Sequence, residues 1–162
     1  MGEMIKVGMA DLKVCKFPDN LTTIGLGSCI GIAMYDPITK ITGLAHIMLP
    51  DSTTMKNNSN IAKFADTGIP ELYNQMIALG AQKGRMWAKI AGGAKMFDLG
   101  GSSTSAINVG ERNAEASINA IRKLGIPLIG KDTGLNYGRT VEIYSENGNY
   151  LIKSVGKPQK TI

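Results

Sequence analysis

The stretch "IGIAMYDPITKITGLAHIML", residues 30–49, sets two apolar runs on either side of Asp36-Pro37-Ile38-Thr39. Asp at the first turn position and Pro at the second suit a type I turn, because the pyrrolidine ring presets the φ that the turn requires. The stretch therefore predicts a β-hairpin. With Pro37 and Ile38 as the central pair, Cys29 stands opposite His46 on one face, with Cβ atoms about 5 Å apart. A longer loop shifts that register by a residue or so and still leaves the chain's single histidine near the thiol.

Glycines crowd the approach to that thiol, in "GLGSC" at residues 25–29. A free cysteine is ordinarily a small core residue, and a lone histidine on an apolar strand is ordinarily a satisfied core group. Together beside a glycine turn they read as nucleophile and base. The thiolate is the reactive species, so a catalytic cysteine needs a base or a positive neighbourhood and a path for substrate. Gly25 and Gly27 offer the path, and backbone N–H groups near Gly27, Ser28 and Cys29 offer donors for an oxyanion. A third group is expected to fix the tautomer of His46. Thr22, Thr23, Asp36, Asp51 and Asp132 all remain open for that part. Cys15 has no glycines before it and no pairable histidine, and reads as structural.

The rest of the chain supplies alternating and helical periods. "MIKVGMADLKV" predicts an opening strand and "LTTIGLG" a second. Ile61, Phe64, Ala65, Ile69, Leu72, Met76 and Leu79 recur at helical spacing up to Gly80, with a kink or break expected at Pro70. "MWAKIAGGAKMF" predicts a buried strand that leaves into a flexible "LGGSSTS" loop. A second helix is expected over 111–124 and a strand over "IPLIGKDT". "RTVEIYS" and "YLIKSV" flank Glu146-Asn147-Gly148-Asn149 as a further hairpin. Seven or eight strands and two main helices make an α/β (α+β) sandwich, with largely antiparallel or mixed sheets flanked by the helices. Residues 1–162 read as one domain, with 156–162 a frayed tail.

Two decoys fail. "GIPLIGKD" has phosphate-loop spacing but carries Asp132 where Ser or Thr is needed, and its apolar part is itself a strand. Gly25 and Gly27 begin a dinucleotide pattern that Ile30 ends.

Composition closes off other classes. Two cysteines and one histidine are too few for a zinc site of the usual kind. No metal or other cofactor is expected. The net charge of +5 is scattered, and aromatic residues make up 6% of the chain, which argues against nucleic acid as a partner. No apolar run approaches the roughly 18 residues of a membrane span, so no direct membrane insertion is expected. Early Glu3 and the lack of a long apolar block argue against a secretory signal and for a cytoplasmic location.

"TIGLGSCIGIAMYDP", "GLAHIMLPDS", "KFADT", "AKIAGGAKMF", "NVGERNAE" and "DTGLNYGRTVE", in that order, resemble the chemoreceptor glutamine deamidases called CheD. The resemblance implies a cysteine-hydrolase fold related to deamidating toxins. It also implies Cys29 as nucleophile, His46 as general base and Thr23, over Thr22, as the orienting residue. It implies further that selected glutamines on methyl-accepting chemotaxis receptors become glutamates, and that the CheC phosphatase binds as a partner. Leu135 departs from the family pattern, which has a second glycine after "DTG", and Pro70 departs within the helix. A rival reading makes the chain a non-catalytic adaptor that binds receptors and CheC, with "AGGAKMF" and "NVGERNAE" lining a groove for receptor helices.

Overall fold

The computed structural model describes residues 2–96 and 109–162. Among these residues it contains ten strands and two α-helices: β1 (Met4–Lys6), β2 (Asp11–Cys15), β3 (Asn20–Leu26), β4 (Ile30–Asp36), β5 (Ile41–Ile47), α1 (Ala65–Leu79), β6 (Trp87–Gly92), α2 (Val109–Lys123), β7 (Leu128–Thr133), β8 (Arg139–Ile143), β9 (Tyr150–Lys153) and β10 (Lys160–Thr161). One sheet runs β1-β3-β8-β9-β10 and the other β2-β5-β4-β6-β7. Most pairs are antiparallel; β1 with β3 and β6 with β7 are parallel. Both helices lie on the outer face of the second sheet, so the layers run helices, sheet, sheet. This is the sandwich that the sequence predicts.

The order of layers follows from β4 and β5, every residue of which is buried. A strand that is apolar on both faces must be covered on both. Ile30, Ile32 and Met34 point at the helices, where Ile69, Leu72, Met76 and Ile121 meet them. Ala33, Leu44 and Ala91 point the other way and pack between the sheets with Leu26, Val141 and Tyr150. Each cluster is a continuous apolar interior of the kind that supplies the main favourable term in folding. No helix among the described residues is long and apolar enough to cross a membrane.

Several expectations need correction. The β4–β5 hairpin has a four-residue loop rather than a two-residue turn: Asp36 pairs with Ile41. The Asp36 carboxylate accepts from the N–H groups of Ile38 and Thr39, Lys40 N–H donates to Asp36 O at 2.7 Å, and Lys40 reverses the chain at a φ of +58°. The opening run is two strands in different sheets, β1 and β2. The helix expected from Ile61 begins at Ala65, because Phe64 is extended and bridges Leu49, leaving 61–63 as a single 3-10 turn. The break thus falls before Pro70, and α1 runs on through the proline as one element. The tail is not frayed at its end: β10 pairs with β9, and Ile162 and Tyr150 exchange main-chain hydrogen bonds at 3.0 and 3.2 Å. Leu135 adopts a left-handed backbone conformation, at a φ of +62°, and its side chain is exposed. The expected "LGGSSTS" loop lies outside the described residues.

Asp36 fastens the hairpin to the body of the protein. Its carboxylate meets Arg85 Nε and Nη2 at 2.9–3.2 Å and accepts from Gln82 N–H at 2.9 Å. Burial pushes this carboxyl up, but the Arg85 guanidinium and the Gln82, Ile38 and Thr39 amides outweigh it and hold it below the usual carboxylate range. Asp36→Asn is expected to lower stability to urea by about 1–2 kcal/mol, the scale of charge-assisted hydrogen bonds lost, since the Arg85 guanidinium left behind is part-exposed and stays solvated. A depressed carboxylate stabilises the fold above its unfolded pKa and loses that contribution as pH falls through its folded value. The gap between wild type and variant should therefore hold at neutral pH and narrow only below about pH 4.

Candidate active site

Three elements deliver the side chains singled out above. Thr23 lies on β3 in one sheet, His46 on β5 in the other, and Cys29 in the turn just before β4. All three are buried, with Thr23 and His46 at 0% exposure and Cys29 at 7%. Gly31 pairs with His46, so the register sits two residues from the one expected for a two-residue turn. Strand side chains repeat every two residues, so this offset keeps Cys29 on the His46 face. It places Cys29 two positions along from the residue directly opposite His46 rather than opposite it. Gly93 N–H donates to Cys29 O at 2.9 Å and Ala94 N–H donates to Gly27 O at 2.9 Å, tying the turn that carries Cys29 to the segment after β6.

The hydrogen bonds around Thr23 decide the protonation of His46. Thr23 Oγ1 lies 2.8 Å from Val7 O, an acceptor only, so the single hydroxyl proton goes there. The same Oγ1 is 2.7 Å from His46 Nδ1 and must accept from it, which places the imidazole proton on Nδ1. Nε2 then carries a lone pair, and it has no hydrogen-bond partner among the described residues. Burial lowers the His46 pKa, which favours the neutral ring. Burial likewise raises the Cys29 thiol, offset only in part by a hydrogen bond from its own backbone N–H. Burial thus favours the uncharged form of both groups, and in this geometry no hydrogen bond joins Cys29 Sγ to His46 Nε2.

The other proposed orienters are occupied elsewhere. Thr22 Oγ1 donates to Val141 O at 2.8 Å. Asp36 holds Arg85, Asp51 accepts from Thr53, and Asp132 binds Arg139 at 3.0 Å and Lys160 at 2.6 Å. Cys15 Sγ donates to Asp19 O, and its thiol is pushed up to about 12 by burial and by the Asp19 charge. Gly25 adopts a φ of +75° with open space on its Cβ side, so the turn bends where a side chain is disfavoured. Gly27 N–H donates to Gly25 O at 3.1 Å in this resting geometry, and its Cα faces Met96. Among the described residues no group of three or more His, Cys, Asp or Glu side chains is arranged to hold a metal ion.

One residue at the site, inside "NVGERNAE", carries no role of its own in the sequence expectations. Asn113, fully buried on α2, donates from Nδ2 to Ser28 O and to Met48 O, each at 2.9 Å. Helix α2 reaches this close because Gly110 sits against the carbonyls of Gly93 and Ala94, where a Cβ would come within 2.5 Å of oxygen. The available signal was a polar residue on the stripe Gly110, Asn113, Ser117, Ile121 that α2 turns inward.

The family model described as "CheD chemotactic sensory transduction" matches residues 48–154. A protein of Lachnoclostridium phytofermentans named a probable chemoreceptor glutamine deamidase CheD is 60% identical over 162 residues, covering all of both chains. Proteins of the same name from Caldanaerobacter subterraneus subsp. tengcongensis and Moorella thermoacetica are 53% identical over 160 residues and 49% identical over 158. These matches cover 99% and 98% of this chain and 98% and 95% of theirs.

Proposed function

The chain belongs to the CheD family, and from that premise we propose that it hydrolyses the side-chain amide of selected glutamines on chemoreceptors. Cys29 is the nucleophile, His46 the general base and Thr23 the residue that orients the imidazole. The observation that carries this reading is the hydroxyl of Thr23. By donating to Val7 O and accepting from Nδ1–H, it leaves the only basic nitrogen of His46 unpartnered on the face shared with Cys29.

The steps balance without a cofactor. His46 Nε2 takes the thiol proton as Sγ attacks the glutamine side-chain carbonyl carbon, giving a tetrahedral oxyanion. In this reading the backbone N–H groups of Ser28 and Cys29 serve as donors for that oxygen, with Gly27 joining them once its contact to Gly25 O opens. The proton on Nε2 passes to the leaving nitrogen, ammonia departs, and a thioester remains. Nε2 then deprotonates a water, which attacks the thioester; Sγ leaves, the proton returns to it, and glutamate is released. Residues 1–162 act in this reading as one cytoplasmic deamidase domain whose substrates are methyl-accepting chemotaxis receptors. The CheC phosphatase as a partner rests on family resemblance alone.

The test is incubation of a receptor cytoplasmic fragment with the wild-type chain, followed by ammonia assay and mass analysis of receptor glutamines. Glutamate at particular positions is expected, and glutamines left intact would overturn the reading. The pH profile is a second check. Because the His46 pKa is lowered by burial, kcat/KM should be flat through neutrality and fall only below about pH 6.5, where the base takes a proton. An acid limb centred above pH 7 would contradict a neutral buried imidazole as the base.

A further inference from the structure

We propose that Asn113 is a positioning residue for this reaction, its one amide nitrogen fixing where Cys29 leaves β4 relative to the strand that carries His46. The inference rests on the deamidase reading above. The β4–β5 ladder ends at the pair Ile30 and Ile47. Beyond it the next positions on the two strands are Cys29 and Met48, and no further rung forms. Instead Asn113 Nδ2 donates to the carbonyl before Cys29 and to the carbonyl of Met48, two residues past His46. The amide substitutes for a missing rung, at the point where the nucleophile turns away from the ladder.

The chemistry of the residue fits that part closely. Two acceptor-only carbonyls need two donors, and a single amide nitrogen provides both in one plane. A carboxylate has none, and a hydroxyl has one. The choice is costly for folding, since Asn113 Oδ1 is buried and finds no partner among the described residues. An unsatisfied buried acceptor opposes folding, so the amide serves Ser28 and Met48 rather than core stability. Ser117, one turn further along α2, is equally buried, but its hydroxyl donates to Asn113 O within the helix and not to the β4 or β5 backbone. It is the natural control.

Three variants test this in the full chain: Asn113→Asp, Asn113→Ser and Ser117→Ala, each assayed on a receptor fragment with folding followed by circular dichroism. A displacement on the order of an ångström at reacting atoms costs about 100-fold in rate. Asn113→Asp is therefore expected to lower kcat about 100-fold with KM within about twofold of wild type. Asn113→Ser, with one donor left, should fall between. Alkylation of the Cys29 peptide by iodoacetamide should slow in the same order, and Ser117→Ala should leave kcat and alkylation unchanged. A kcat within about threefold of wild type in a folded Asn113 variant would overturn the proposal. So would a matching loss in Ser117→Ala, or loss of the folded state in both Asn113 variants, which would assign the residue to the fold instead. A wild-type chain that releases no ammonia would sink the deamidase reading itself, a result separate from these.

Discussion

Cys29→Ala is expected to lose receptor deamidation by about 10⁴-fold or more, the scale on which removal of a catalytic nucleophile is felt. The measurement is ammonia release from a receptor fragment, with mass analysis of its glutamines. The loss should be complete because the chain has no substitute. Cys15, the other thiol, is bonded to Asp19 O, and burial and the Asp19 charge push its pKa up to about 12. Folding should survive, since the change removes one sulfur from a small, largely buried side chain and leaves the turn's main-chain bonds to Gly93 and Ala94 in place. Receptor binding should survive with it. Deamidation that persists in Cys29→Ala would move the chemistry elsewhere. Normal chemotactic signalling in cells carrying that variant would favour the adaptor reading instead.

The parts of this site that could be read from residue order are those governed by period. The hairpin was visible in its two apolar runs, and the thiol and imidazole shared a face under either register because side chains alternate every two residues. The loop length was not visible. It depends on Asp36 accepting the Ile38 and Thr39 amides while also holding Arg85 and Gln82, which lie far along the chain. Likewise Phe64 fits a helical stripe but is drawn into a bridge with Leu49, so α1 starts later than its periodicity implies. Alternation states that Thr22 and Thr23 face opposite ways but not which one faces inward. The family resemblance singles out Thr23, and the physical reason lies in the opposing sheet, which sets His46 Nδ1 against its hydroxyl. Asn113 is harder still, because its two acceptors come from distant turns and no local pattern announces them.

Thr23→Val separates orientation from packing. Valine keeps the shape and β-branching that suit a strand, so neither cavity nor loss of strand preference is introduced. What disappears is Oγ1, the acceptor for His46 Nδ1–H and the donor to Val7 O. Without it the ring is free to carry its proton on Nε2, and in that tautomer nothing faces the thiol to receive its proton. A fall in kcat of about 10²–10⁴-fold is expected, the range over which misdirected acid–base groups are felt. Thr23→Ser keeps the hydroxyl and should stay within about tenfold of wild type. Thr22→Val removes only a bond to Val141 O on the other face and should be close to wild type. The residual activity of Thr23→Val carries a second signature. The Nδ1–H to Oγ1 bond strengthens when the ring is cationic, so its loss makes protonation harder and moves the acid limb to lower pH. A Thr23→Val enzyme with wild-type kcat, or a Thr23→Ser enzyme as damaged as Thr23→Val, would mean that the tautomer of His46 is held by something other than this hydroxyl.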